Sequence, residues 1–243
     1  MPLRGPRSPG TARSARSGNR PGRDRLPFLY EDNHLLAVDK PAGMLSQGDL
    51  SGDLDVLTVV RSVIKRRDRK PGNVYLGLVH RLDRPVSGAM LLAKTSKAAG
   101  RLSRQLRERS PRKTYRALVE GRPERDAAEL RHWLVRDRKA RVTRVAGGDG
   151  TGKQAVLRYR ILETRGDLTL LEVELITGVS HQIRVQLSAL GHPVVGDRKY
   201  EARSRLPGGP GAIALHAREL SFDHPVRREP ISVVAPDPDG WPW

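Results

Sequence analysis

Apolar and polar positions along this chain follow two periods. Tyr115, Ala117 and Val119 alternate with Thr114, Arg116 and Leu118, which predicts a strand over 113–120. Ala155, Leu157, Tyr159 and Ile161 alternate in the same way, Gly166 and Asp167 turn the chain, and Leu171, Val173 and Leu175 alternate again, so a hairpin is expected there. Short unbroken apolar runs at 35–38, 75–79, 89–93 and 212–217 read as buried strands, with 220–224 as another. The helical period is carried by Val56, Leu57, Val60 and Ile64, between an N-cap at Asp53 and Arg67. It returns in Ala99, Leu102 and Leu106, from Ser96 to about Arg109, where Pro111 stops the helix. A third, short helix fits between Ser180 as N-cap and Gly191 as C-terminal stop. Its buried stripe would be Ile183, Leu187 and Leu190, and His181, Arg184 and Ser188 would share another face. Residues 122–151 are charged and glycine-rich and read as a surface hairpin with short strands near 130–133 and 141–145. The Pro- and Asp-rich end, 234–243, reads as a loosely docked tail. Hairpins with a few helices between them indicate an α+β fold, not alternating βαβ units.

Composition narrows the partners. The 243 residues carry 45 Lys plus Arg against 27 Asp plus Glu, a net +18. The first 25 residues hold seven Arg and one Asp, so about +12 stays with the remainder. Charge of this sign points to an anionic polymer, most often nucleic acid. A high-GC genome also enriches Arg, Gly and Pro, so charge alone does not settle the partner. Three Trp, five Tyr and two Phe are too few for a multi-base stacking platform. Residues 1–25 have too few apolar groups to fold and read as a disordered basic arm adding salt-sensitive phosphate affinity, ahead of a single catalytic domain over 26–243. The absence of cysteine excludes disulfides, thiolate metal sites and thiol nucleophiles. No apolar run approaches the ~20 residues that span a bilayer, and no signal-peptide core is present, so a soluble, cytoplasmic protein with no membrane partner is expected.

The stretch with most chemistry lies between the apolar runs 75–79 and 89–93: His80, Arg81, Leu82, Asp83, Arg84, then the turn formers Pro85, Ser87 and Gly88. A carboxylate on a short loop between two core strands is held rigidly, and its arginine neighbours suit a polyanionic partner. Spacing alone favours an ordinary loop aspartate balanced by two surface arginines. There is no Gly-rich phosphate loop and no His/Asp/Glu cluster at metal-ligand spacing.

Five stretches taken in order resemble the RluA-type RNA pseudouridine synthases. They are Lys40-Pro41-Ala42-Gly43; His80-Arg81-Leu82-Asp83 with Ser87-Gly88 and Ala93-Lys94; and Lys113-Thr114-Tyr115-Arg116-Ala117-Leu118-Val119-Glu120-Gly121. Then come Thr177-Gly178, His181-Gln182-Ile183-Arg184, Gly191-His192-Pro193 and Gly196-Asp197; and last Leu215-His216-Ala217 with Phe222 and His224-Pro225. Val86 and Val179-Ser180 depart from the family pattern, which puts in doubt a phosphate contact at Val179. The resemblance implies a mixed, largely antiparallel sheet with a central RNA-binding cleft, and isomerisation of uridine to pseudouridine in ribosomal or transfer RNA without metal or cofactor; nothing in the sequence demands more than a monomer. Asp83 would act at the anomeric carbon, either adding to it or assisting loss of a sugar proton. Tyr115 would stack on the extruded base and help remove the carbon-5 proton, and Arg184 would pair with Asp83. Leu215 would pack on the base and Arg81 fill the gap it leaves, with His80, Arg84, His181 and Gln182 completing the substrate-binding set. Two rivals are a non-catalytic RNA-binding or ribosome-assembly protein on the same fold, and a nucleoside glycosidase releasing free base.

Overall fold

The structure, a computed structural model, describes residues 26–147, 151–206, 211–238 and 240–241; the expected basic arm lies outside them. In chain order the elements are β1 (Phe28–Glu31), β2 (Leu35–Lys40), α1 (Val56–Arg67), β3 (Gly77–Leu78), β4 (Ser87–Ala93), α2 (Ser96–Glu108) and β5 (Arg112–Glu120). They continue with β6 (Ala127–Asp137), β7 (Val142–Val145), β8 (Lys153–Arg165), β9 (Leu168–Leu175), α3 (Gln182–Ala189), β10 (Leu215–Asp223) and β11 (Pro230–Val234). The described strands form one 11-stranded sheet in the order β1-β2-β4-β10-β5-β9-β8-β6-β7, with β3 on β4 and β11 on β10. All pairs are antiparallel except β4 with β10, which sit side by side at the middle of the sheet.

The unbroken apolar runs of β2 and β4 follow from burial on both faces. Leu36, Val38, Met90 and Leu92 pack with Val56, Val60 and Ile64 of α1, while Leu35, Ala37, Ala89 and Leu91 pack with Ala98 and Leu102 of α2. Gly88 permits the parallel pairing: its φ is +111°, and a Cβ there would stand 2.3 Å from the Ala217 carbonyl oxygen. α1 is capped by Asp55, not Asp53; the Asp55 carboxylate accepts the Thr58 N–H at 3.1 Å, and Asp53 instead pairs with Arg84. Three basic residues in the last turn of α1 complement its dipole.

Four expectations change. Of 75–79 only Gly77 and Leu78 pair, and Tyr75 is half exposed. Residues 127–145 are no excursion: β6 pairs with β7 and with β8 and extends the main sheet. Leu130 and Leu134 bury its inner face, but exposed Trp133 and Val135 on the outer face blur the alternation. In α3 the buried face holds polar residues, Gln182, Arg184 and Gln186 among them, whereas Leu190 is exposed. At the tail, Val233 and Ala235 are buried and β11 pairs with β10.

Candidate active site

The loop carrying Asp83 enters β4 at the centre of the sheet, and the turn that follows β2 holds it from below. Ser46 grips Leu82 twice, accepting its N–H at 3.1 Å and donating to its carbonyl at 2.7 Å. Gly43 N–H donates to the Arg84 carbonyl at 2.7 Å, and Val86 N–H closes a turn onto the Asp83 carbonyl at 3.0 Å. Beneath them Lys40, 0% exposed, points its ammonium at the carbonyls of Pro41, Met44 and Arg84 at 3.1, 2.9 and 3.3 Å. Burial pulls its pKa down to about 7, against the opposing pull of Asp83 and Asp39.

Asp83 itself is 29% exposed and opens into a cleft of about 700 Å³. Its Oδ2 accepts from Arg184 Nη1 at 3.0 Å. Arg184, 6% exposed, is fixed from the other side by Asp197, which receives Nε at 2.6 Å and Nη2 at 2.8 Å in a bidentate pair. Asp197 is 1% exposed, so the guanidinium bridges one fully buried carboxylate and one that faces the cleft. Tyr115 on β5 and Leu215 at the start of β10 line the same cleft from neighbouring strands, where Ala217 pairs with Tyr115 and Leu215 with Ala117. Burial, reinforced by the field of Asp83, pushes the Tyr115 phenol well above its ordinary value. Lys113 also lines the cleft, and burial lowers its pKa.

Among the other residues singled out above, Arg81 stands exposed at the cleft wall, and His80, His181 and Gln182 line it. His80 accepts the Leu91 N–H through Nε2 at 2.9 Å, which anchors the loop to β4; burial lowers its pKa to about 4. The Gln182 amide is engaged inward, accepting from Thr177 Oγ1 and the Val179 N–H and donating to the Val156 carbonyl. Arg84 is not brought into the cleft; it donates to the Gly43 carbonyl at 3.1 Å and pairs with Asp53. Asp197 and Lys40 stand inside the stretches that resemble the family, but the sequence assigned neither of them a role at the site.

A carboxylate, a guanidinium and a phenol meeting in an open, basic cleft at the centre of a mixed sheet define a site for carboxylate chemistry on an anionic partner. A model of the RNA pseudouridylate synthase family matches residues 34–189. Ribosomal large subunit pseudouridine synthase D of Xylella fastidiosa is 40% identical over 230 residues, 88% of this chain and 66% of that protein. Ribosomal large subunit pseudouridine synthase C of Vibrio cholerae is 33% identical over 214 residues, 86% of this chain and 65% of that protein. The solved structure of Human RNA Pseudouridylate Synthase Domain Containing 1 superposes with a TM-score of 0.73 at 30% identity, covering 90% of this chain and 86% of that one. The chain belongs to the RNA pseudouridylate synthase family. It spans about two thirds of the length of the curated relatives it matches.

Proposed function

We propose that this protein isomerises uridine to pseudouridine in RNA, with ribosomal RNA of the large subunit as the substrate class. The observation that carries the reading is Asp83 held at the cleft by Arg184, which Asp197 anchors in turn. The names of the relatives support the choice of RNA.

A uridine stacked in RNA must swing out of its stack to reach a carboxylate recessed in a cleft. Asp83 then acts on the sugar, either by adding to carbon 1′ or by taking a proton from carbon 2′. Both routes break the bond from nitrogen 1 to carbon 1′ and release uracil as an anion. The base turns and carbon 5 bonds to carbon 1′, displacing the Asp83 oxygen in the first route and with the proton on Asp83 returning to carbon 2′ in the second; the carbon-5 proton is lost while nitrogen 1 gains one, so atoms and electrons balance. Positive charge developing on the sugar is stabilised by the adjacent carboxylate, as in glycosidases. With its pKa raised, the Tyr115 phenol keeps its proton at neutral pH, which suits stacking and hydrogen-bond donation better than service as a free phenolate base. Leu215 offers an apolar wall to the base, and Arg81 is placed to meet the strand at the rim. One chain supplies every group named, so a monomer suffices, and a ribosomal substrate is in keeping with a cytoplasmic location. No helix among the described residues is long and apolar enough to cross a membrane.

The test is incubation with an unmodified large-subunit ribosomal RNA transcript, reading carbodiimide-reactive sites. The native protein should produce them, and Asp83→Asn should lose at least ~10³ in turnover while binding RNA normally. Release of free uracil would indicate a glycosidase, binding without product a non-catalytic role, and full turnover by Asp83→Asn would remove Asp83 from the chemistry.

A further inference from the structure

Tyr200 stands behind the site and belongs to no motif singled out above. It ends a short 3-10 turn, Arg198–Tyr200, and is 6% exposed. Its ring lies under the Arg184 guanidinium, 5.0 Å from centroid to carbon, and edge-on to His181 at 5.6 Å. Tyr200 therefore touches both polar neighbours of Asp83. Its oxygen accepts the Thr143 N–H at 2.9 Å and lies 2.7 Å from His181 Nδ1.

These two distances bear on where the hydrogens are. A backbone N–H can only donate, so the phenol oxygen is the acceptor of the Thr143 contact. The one phenolic hydrogen is then free for His181, and a ring nitrogen can receive it only if it carries none itself. In the arrangement that gives the phenolic hydrogen its acceptor in this ring, Nδ1 receives it and the neutral ring carries its own hydrogen on Nε2. Nε2 faces Asp83, 3.8 Å from Oδ2, which is too far for a hydrogen bond and leaves that N–H for an incoming oxygen. Arg136 Nη1 lies 3.4 and 3.5 Å from the two ring nitrogens, so it does not choose between them. Burial keeps the ring neutral; Arg184, Arg136 and Lys199 push the same way, and Asp83 opposes them. His181 holds this place at φ +59°, an uncommon backbone angle for a side chain with a Cβ.

We propose that Tyr200 is a positioning residue: its hydroxyl locks His181 in the Nε2–H form, so that the ring offers one hydrogen-bond donor to an oxygen of the flipped nucleotide beside Asp83. The role in turnover rests on the synthase reading; the tautomer does not.

The test uses full-length protein labelled with 15N in histidine, without RNA, and reads the His181 ring by long-range 1H–15N correlation, assigned by comparison with His181→Gln. The native ring should be in the Nε2–H form, and Tyr200→Phe should shift it toward Nδ1–H. On the ribosomal transcript, Tyr200→Phe should lower kcat about tenfold, one hydrogen bond's worth, with RNA affinity unchanged. The double variant Tyr200→Phe/His181→Gln should be no slower than His181→Gln alone, because both act through one ring. An Nδ1–H ring in the native protein, an unmoved tautomer in Tyr200→Phe, or additive losses in the double variant would each overturn the inference. Native protein with an Nε2–H ring but no turnover would overturn the synthase reading while supporting the tautomer.

Discussion

Replacing Lys40 by methionine should expose a stability that depends on pH and an activity that depends on the same buried side chain. Lys40 is 0% exposed with a pKa brought down to about 7, while an unfolded lysine titrates near ~10.4. Between those values the unfolded chain holds a proton at this site and the folded protein does not, so the site makes the fold more stable as pH rises. At ~1.4 kcal/mol per pH unit, and allowing for partial titration near pH 7, moving from pH 7 to 9 adds about 2 kcal/mol. Methionine has no proton to lose, so urea unfolding of both proteins at pH 7, 8 and 9 should show the native chain gaining about 2 kcal/mol on Lys40→Met across the interval. Other titrating groups are common to both and cancel. Turnover should fall together with this change, because methionine leaves the Met44 and Arg84 carbonyls without the donor that sets the Asp83 loop, and a displacement of about 1 Å at a reacting group costs roughly 10²-fold. Stability curves that run parallel from pH 7 to 9 would show that Lys40 is not the buried, proton-losing lysine described here.

Two further substitutions probe the frame around Asp83. Asp197→Asn keeps the shape but removes the buried carboxylate that holds Arg184, leaving the guanidinium with only the cleft-facing Asp83 as counter-charge; urea unfolding should report a loss of about 3 kcal/mol, and turnover should fall with it. Gly88→Ala drives a Cβ into the Ala217 carbonyl at a φ of +111° and should cost more than ~3 kcal/mol, whereas Gly166→Ala, at φ +54° with open space around it, should cost about 1 kcal/mol; equal losses in the two melts would deny the close approach of β4 and β10.

What the chain reveals by itself is the set of local faces. The alternation of Tyr115, Ala117 and Val119 describes β5, and the paired alternations through Gly166 describe β8 and β9, because a strand displays its buried side at every second residue. The helical spacing of Val56, Val60 and Ile64 places α1 for the same reason, and the place of Asp83 just ahead of a core strand is visible from the apolar run that follows it. Such patterns say which side of an element is inside and not what it lies against. Arg184 reads as a surface residue beside its own neighbours; only the fold brings it to Asp197, 13 residues on, and to Asp83, 101 residues back. Lys40 resembles any turn lysine until the loop 44 residues later closes over it. Leu190, apolar and in phase, stays exposed because α3 turns its polar residues toward the sheet and the cleft. A buried charge is tolerated only where its partners are already in place, and those partners come from distant segments. The periodicity of the sequence determined the elements, and their long-range pairing decided which charges could be buried to make a site.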